Sequence, residues 1–231
     1  MVWVKFGICA ILILLAGRSV ARYADVIAIK TGMSRLWIGI IIVSVATSLP
    51  ELFTGIGSVT FADAPDMAIG NLFGANSYNM LNIAILDILS GSTPVLYALS
   101  GGQLLTATLG LIPVLLATVG IGLSKGAFSF AIIVSYIAIA WTVYKHETAS
   151  PPPRAPTGDG ESLISLKAVW TRFILAALVI MGTGIWLAYI GKELSTVFHL
   201  GESFVGSLFL GLITTLPEIT VSIAALLMGL K

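Results

Sequence analysis

Two short blocks of this chain carry residue types able to bind a cation: Thr47-Ser48-Leu49-Pro50-Glu51 and Thr214-Thr215-Leu216-Pro217-Glu218. At 3.6 residues per helical turn, positions three and four apart share a face, so Thr47 and Ser48 are set toward the side of Glu51. Thr214 and Thr215 stand in the same relation to Glu218. Proline has no N–H, so Pro50 leaves the Ala46 carbonyl without its helical donor, and Pro217 does the same to Ile213. Carboxylate, hydroxyl and backbone oxygen together form a hard ligand set of the kind calcium prefers, whereas transition metals recruit His or Cys. A third polar run, Gly70-Asn71-Leu72-Phe73-Gly74-Ala75-Asn76-Ser77-Tyr78-Asn79 followed by Asn82, is costly in an apolar helix unless its amides find partners. Asn79 is the candidate ligand there. For Asn71, Asn76 and Asn82, helix packing and ion contact weigh equally, and Gly70 with Gly74 would let another helix approach closely.

The elements that must hold these blocks are membrane helices. Of 231 residues, 57% are hydrophobic and 10% charged, against roughly a quarter charged in a soluble domain. A spanning helix needs about 20 mostly apolar residues, and seven segments qualify: Trp3 to about Val20, Trp37 to Thr60, Met67 to Leu89, Leu104 to Leu123, Ala127 to Tyr144, Ala168 to about Ile190, and Phe204 to Gly229. The expected fold is therefore all-α and polytopic. Residues 145–167, with Pro151, Pro152, Pro153 and Pro156, read as a cytoplasmic linker between a first membrane half (1–144) and the start of a second (168–231). With the N-terminus outside, nine of the 12 Lys and Arg fall inside and only Lys5, Lys125 and Lys192 outside. Cleavage of the first segment as a signal peptide would put Arg22, Lys30 and Arg35 on the translocated side, so that segment is read as a retained helix.

Displacing the chain by 167 positions superposes the two polar blocks and gives six identities in 22 pairs between Trp37–Ser58 and Phe204–Ala225. The copies are five spans apart, so they cross the membrane in opposite directions. Inverted repeats with interrupted helices are a plan of secondary transporters, whose substrate site lies at the midplane where the copies face each other. A carboxylate at that depth costs about 2.5 to 3.5 kcal/mol on insertion scales, and no Lys or Arg lies deep in these spans to neutralise it. A lone Pro or Thr-Thr pair in a membrane helix is a kink or a back-bonded pair; duplication of both around a Glu points to a site.

The two TxLPE-type blocks, with Gly70-Asn71 and Gly74-Ala75-Asn76-Ser77-Tyr78-Asn79, resemble the alpha-repeats of the cation/calcium antiporter superfamily, most closely its prokaryotic sodium/calcium exchangers. The resemblance implies exchange of calcium for sodium by alternating access, or for protons in sister branches. It implies Glu51 and Glu218 as central ligands and Thr47, Ser48, Thr214 and Thr215 lining the sodium and calcium sites. Ser44 and Gly211 would add backbone oxygen and Asn79 an amide oxygen. Ala75 departs from the family, which has serine in its Gly-Ser-Asn motif and so a hydroxyl this chain lacks. Lys231 corresponds by the repeat offset to Ala64, ahead of the second Gly-Ser-Asn block, so an eighth helix is expected beyond it, in a longer product or from a second chain.

The net charge of +1 gives no reason to expect nucleic acid. An enzyme is not expected either: the spans hold no His, and the chain has no Gly-x-Ser-x-Gly turn or phosphate-cradling loop. No cofactor is implied, since calcium and sodium, or protons, would bind as substrates. The remaining alternative is a non-transporting subunit. The expected location is a prokaryotic inner membrane, with the lipid bilayer as its surroundings.

Overall fold

A computed structural model of the protein describes residues 1–31, 44–90, 101–123, 127–147 and 165–227. Every element among them is helical: α1 (Val2–Thr31), α2 (Ser44–Thr47), α3 (Leu49–Thr60), α4 (Pro65–Ser90), α5 (Gly101–Leu123), α6 (Ala127–Glu147), α7 (Leu166–Phe198), α8 (Glu202–Phe204), a π-helical turn (Val205–Leu210) and α9 (Gly211–Leu227). Segments Val2–Ala24, Leu166–Phe198 and Glu202–Ile223 are long and apolar enough to cross a bilayer, and Ala107–Gly122 and Phe128–Thr142 are shorter apolar stretches. The first segment runs to Thr31, well past Val20. Trp37–Val43 of the expected second span, and 148–164 of the expected linker, lie outside the described residues.

The chain divides into two compact units, Met1–Gly91 with Ala155–Lys231, and Ser92–Arg154. In the second unit α5 and α6 pack as a pair, with Gly120 lying against Phe128. Pro113 sits inside α5, and the helix continues through it.

In the first unit α7 is the central helix, packed by α1 and by α3. Its one end is capped by Ser165, whose hydroxyl accepts from the Ala168 N–H, and its other by His199 in the left-handed conformation. The core joins Cys9 and Ile13 of α1 to Met67 of α4, Leu187, Ile190 and Leu194 of α7, and Val205, Leu210 and Ile213 beyond it. Val26 and Ile27, near the end of α1, pack on Val169 near the start of α7, while Lys5 of α1 pairs with Glu193 of α7 at 2.7 Å. The two helices are therefore antiparallel. The first segment packs into the bundle at both ends and in its middle. Many large apolar side chains face outward, including Ile8, Ile11, Leu15, Ile174, Leu175 and Leu178, which suits a surface solvated by lipid.

Between α4 and the last helix the contact is backbone on backbone. A Cβ on Gly70 would come within 2.5 Å of the Ser203 carbonyl oxygen, and one on Gly74 within 2.2 Å of that of Ser207. Reciprocally, a Cβ on Gly206 would meet the Met67 carbonyl oxygen at 2.3 Å and one on Gly211 the Ala75 nitrogen at 2.9 Å. Lipid supplies no hydrophobic drive between helices, so such close approach is what binds them. Because backbone cannot yield as a side-chain tip does, Gly74→Ala should lower stability by about 1–3 kcal/mol. Gly182→Ala, where a Cβ meets nothing within 4 Å, should be neutral or slightly stabilising. Thermal unfolding of the two variants in detergent checks the contrast.

Candidate functional site

The first polar block breaks its helix and the second does not. Between α2 and α3, Ser48 is an exposed turn residue with φ −85° and ψ 1°, and Pro50 follows in the first turn of α3. A proline is tolerated there because first-turn N–H groups have no intrahelical acceptor. In the second copy α9 runs unbroken through Pro217, and the irregularity lies upstream as the π turn at Val205–Leu210. Insertions of this kind cluster at functional sites. Gly17 of α1 lies against Pro217: a Cβ there would be 2.6 Å from the ring.

The breaks set the side chains differently from a straight helix. Thr47 and Glu51 are buried, Glu51 to 8% exposure, whereas Ser48 points away from them. Thr214 and Thr215 are both fully buried. Their hydroxyls donate to the Gly211 carbonyl, Thr214 at 3.3 Å and Thr215 in a short bond, so that carbonyl is engaged within its own helix. Of Ser44 only the backbone is described, as the first residue of α2.

Glu51 and Glu218 come together from the two copies, close enough to act on one another electrostatically. The attendants are exchanged between copies: Thr214 lies beside the Glu51 carboxyl and Thr47 beside that of Glu218. Both oxygens of Glu51, and Oε2 of Glu218, are buried and accept no well-formed hydrogen bond from the described residues. Neither forms a salt bridge among those residues, where the pairs are Lys5 with Glu193 and Lys192 with Glu202. Two desolvated carboxylates with open lone pairs make a site that asks for positive charge.

Asn71 is the amide that ties the copies together. Fully buried, it donates through Nδ2 to the Glu51 carbonyl at 3.4 Å and accepts through Oδ1 from the Thr214 hydroxyl at 3.3 Å. Asn79 lies two turns further along α4, half-buried and bonded to no described residue. Asn82 donates to the Ser222 hydroxyl at 2.9 Å, and Ser222 donates in a short bond to the Glu218 carbonyl. Sequence patterning had no means of ranking Asn71 over its neighbours. The stripe Thr47, Glu51, Thr54, Ser58, spaced four, three and four, was open to inspection but carries no counterpart in the second copy, where Val221 and Ala225 follow Glu218.

The polarity of the copies follows from one lysine. Lys192 donates to the carbonyl of Asp63 at 3.4 Å, just past the end of α3, and pairs with Glu202 at the start of the final helix. The end of the first copy thus abuts the beginning of the second, as an inverted repeat demands. Fold and site together define a polytopic integral membrane protein with an inverted repeat and two paired carboxylates, Glu51 buried and Glu218 half-buried.

Comparison with known proteins agrees. The profile of the family described as sodium/calcium exchanger protein matches residues 1–145 and 168–230. The chain belongs to that family, whose members are exchangers rather than enzymes. It is 34% identical over 116 residues to the candidate antiporter CaxA of Alkalimonas amylolytica, covering 48% of this chain and 35% of that protein. It is 37% identical over 83 residues to the inner membrane protein YrbG of Escherichia coli strain K12, covering 36% of this chain and 25% of that protein. The matched stretches thus span about a third and a quarter of these relatives. No solved structure matches the chain significantly.

Asn71→Ala removes both bonds that join the copies and should cost about 1–3 kcal/mol. Asn79→Ala should change stability by less than about 0.5 kcal/mol. Chemical or thermal unfolding in lipid nanodiscs distinguishes the two.

Proposed function

We propose that this chain supplies the ion-binding core of a secondary antiporter that exchanges calcium for sodium by alternating access. Glu51 and Glu218 serve as the central carboxylate ligands. Thr47, Thr214 and Thr215 supply hydroxyl oxygens, Ser48 joins them when its turn faces inward, and Ser44 and Gly211 contribute backbone oxygen. Asn79 adds an amide oxygen. Calcium and sodium are substrates, and no resident cofactor is involved.

One observation carries this reading: two carboxylates from oppositely oriented copies, Glu51 buried and Glu218 half-buried, lie near one another with three open oxygens and no cationic side chain paired to them among the described residues. A divalent cation would neutralise both, and two monovalent cations would do the same. Either occupancy leaves the pair electrically balanced, whereas the empty pair is not, so the empty centre resists moving through the apolar interior. That asymmetry couples the two fluxes without any covalent step. The names of the matching relatives, an antiporter candidate and an inner membrane protein, support antiport and a bacterial inner membrane.

Glu51→Gln or Glu218→Gln keeps shape and removes one charge. Each should lower calcium affinity at least about 30-fold, since breaking a buried charge pair costs about 2–5 kcal/mol. Each should also abolish sodium-gradient-driven calcium uptake into vesicles carrying the protein, with insertion unchanged. Full uptake by both variants would sink the assignment. Uptake driven by a pH gradient without sodium would replace sodium by protons as the counter-ion.

A further inference from the structure

Helices α1 and α7 are joined along their whole length. Lys5 pairs with Glu193 at 2.7 Å, Cys9 donates to the Thr183 carbonyl at 3.2 Å, and apolar contacts run from Ile13 and Leu187 to Val26 and Val169. Toward α3, α7 offers small residues: Gly57 lies against Ile185 and Ala188, and Gly184 against Phe53, Thr54 and Pro50. Close apolar contact of this kind gains dispersion energy but carries little direction.

The charged tie between α7 and the repeats is made at one end. Lys192 donates to the Asp63 carbonyl at 3.4 Å and pairs with Glu202, so one ammonium spans the loop after α3 and the start of the last helix. At the opposite end of α7, Lys167 and Arg172 are exposed and pair with no described residue. Left-handed backbone marks the same junction. Asp63 has φ 49° and His199, three residues before Glu202, φ 52°; among the described residues these are the non-glycine positions with positive φ. Such conformations are held by their surroundings and gather at switch regions. Between the junction and the centre lie Thr54 and Ser58, on the Glu51 face of α3. Both are 0% exposed, so that face of α3 is closed to water.

We propose that Lys192 is a positioning residue, a latch that keeps the paired-carboxylate centre closed on the side of the Asp63 loop. While its ammonium holds both partners, the α1–α7 pair is fixed to both copies at that end. When it lets go, the Asp63 loop parts from α7 and water reaches the centre along the Thr54–Ser58 face. Lys192 supplies no ligand and touches no transported ion. The pair is suited to reversible closure: its side chains are 35% and 27% exposed, enough shielding to hold and enough water to release. The latch rests on the reading of the centre as one reached from two sides in turn, and adds the contact that decides how long one side stays shut.

The test is thiol labelling of the full chain in phospholipid nanodiscs, with Cys9→Ser and one reporter, Ser58→Cys on the latch side or Ser222→Cys beyond Glu218. A neutral, water-soluble maleimide is the reagent, so the lost lysine charge does not itself steer it. Lys192→Met should speed labelling at Ser58→Cys at least about fivefold, as expected for losing a charge-assisted bond partly in water. Labelling at Ser222→Cys should stay as it was or slow. Glu202→Gln should act in the same direction and serves where Lys192→Met does not fold, while Lys192→Arg, which keeps charge and donors, should hold the wild-type rate. Unchanged labelling at Ser58→Cys in Lys192→Met and Glu202→Gln would overturn the latch. So would equal acceleration at both reporters, which would mean a loosened bundle. Calcium binding to the wild-type chain in the same nanodiscs tests the centre separately: one-sided acceleration without calcium binding would refute the centre and keep the latch, and calcium binding with unmoved labelling would do the reverse.

Discussion

Two carboxylates share a small volume inside a membrane bundle, and the rest of the architecture answers to that. Desolvation and mutual repulsion act against both charges at once. A pair so placed is stable only if something positive shares its space or if the surrounding packing holds it there. In this protein the described residues provide hydroxyls, an amide and backbone, but no paired Lys or Arg. Packing therefore bears the structural load.

The packing that does this is unusually direct. Gly70 and Gly74 of α4 lie against the backbone of Ser203 and Ser207, and Gly206 and Gly211 against the backbone of Met67 to Ala75, so the backbone of one copy is held against the polar run of α4. Asn71 then sits close enough to bond Glu51 of the first copy and Thr214 of the second. On the opposite flank Gly17 accepts the ring of Pro217, so α1 braces the helix where its hydrogen-bond ladder lacks a donor. On the far side of α3, Gly57 and Gly184 allow the same close approach to α7. Small residues thus appear at each crossing that positions a glutamate.

Duplication did not make the two copies alike. The first breaks at Ser48, next to its proline, whereas the second runs unbroken through Pro217 and has its irregular π turn upstream, at Val205–Leu210. As a result Ser48 is exposed where its counterpart Thr215 is buried. Beyond the glutamates the difference widens. The first copy continues with Thr54 and Ser58, while the second turns to Ser222 and reaches Asn82 of α4. Oxygen-bearing side chains therefore extend from the centre along α3 in one direction and along α9 in the other, each by its own chemistry.

Much of this was open to inspection before any coordinates. Hydropathy and length alone imply a helical membrane protein, because a backbone in lipid must satisfy its own hydrogen bonds. The matching Thr, Leu, Pro and Glu at an offset of 167 residues locate the two glutamates and, with the odd number of spans between them, the inversion. These features are periodic or duplicated, and so survive reading in one dimension. Which asparagine meets the centre and which hydroxyl of Thr47-Ser48 faces it were decided by the approach of helices far apart in the chain. Asn71 and Asn79 look alike along α4; only the glycine contacts with residues some 130 positions later separate them. Local sequence specifies what a helix offers, and tertiary packing selects which of those offers is buried beside the charge.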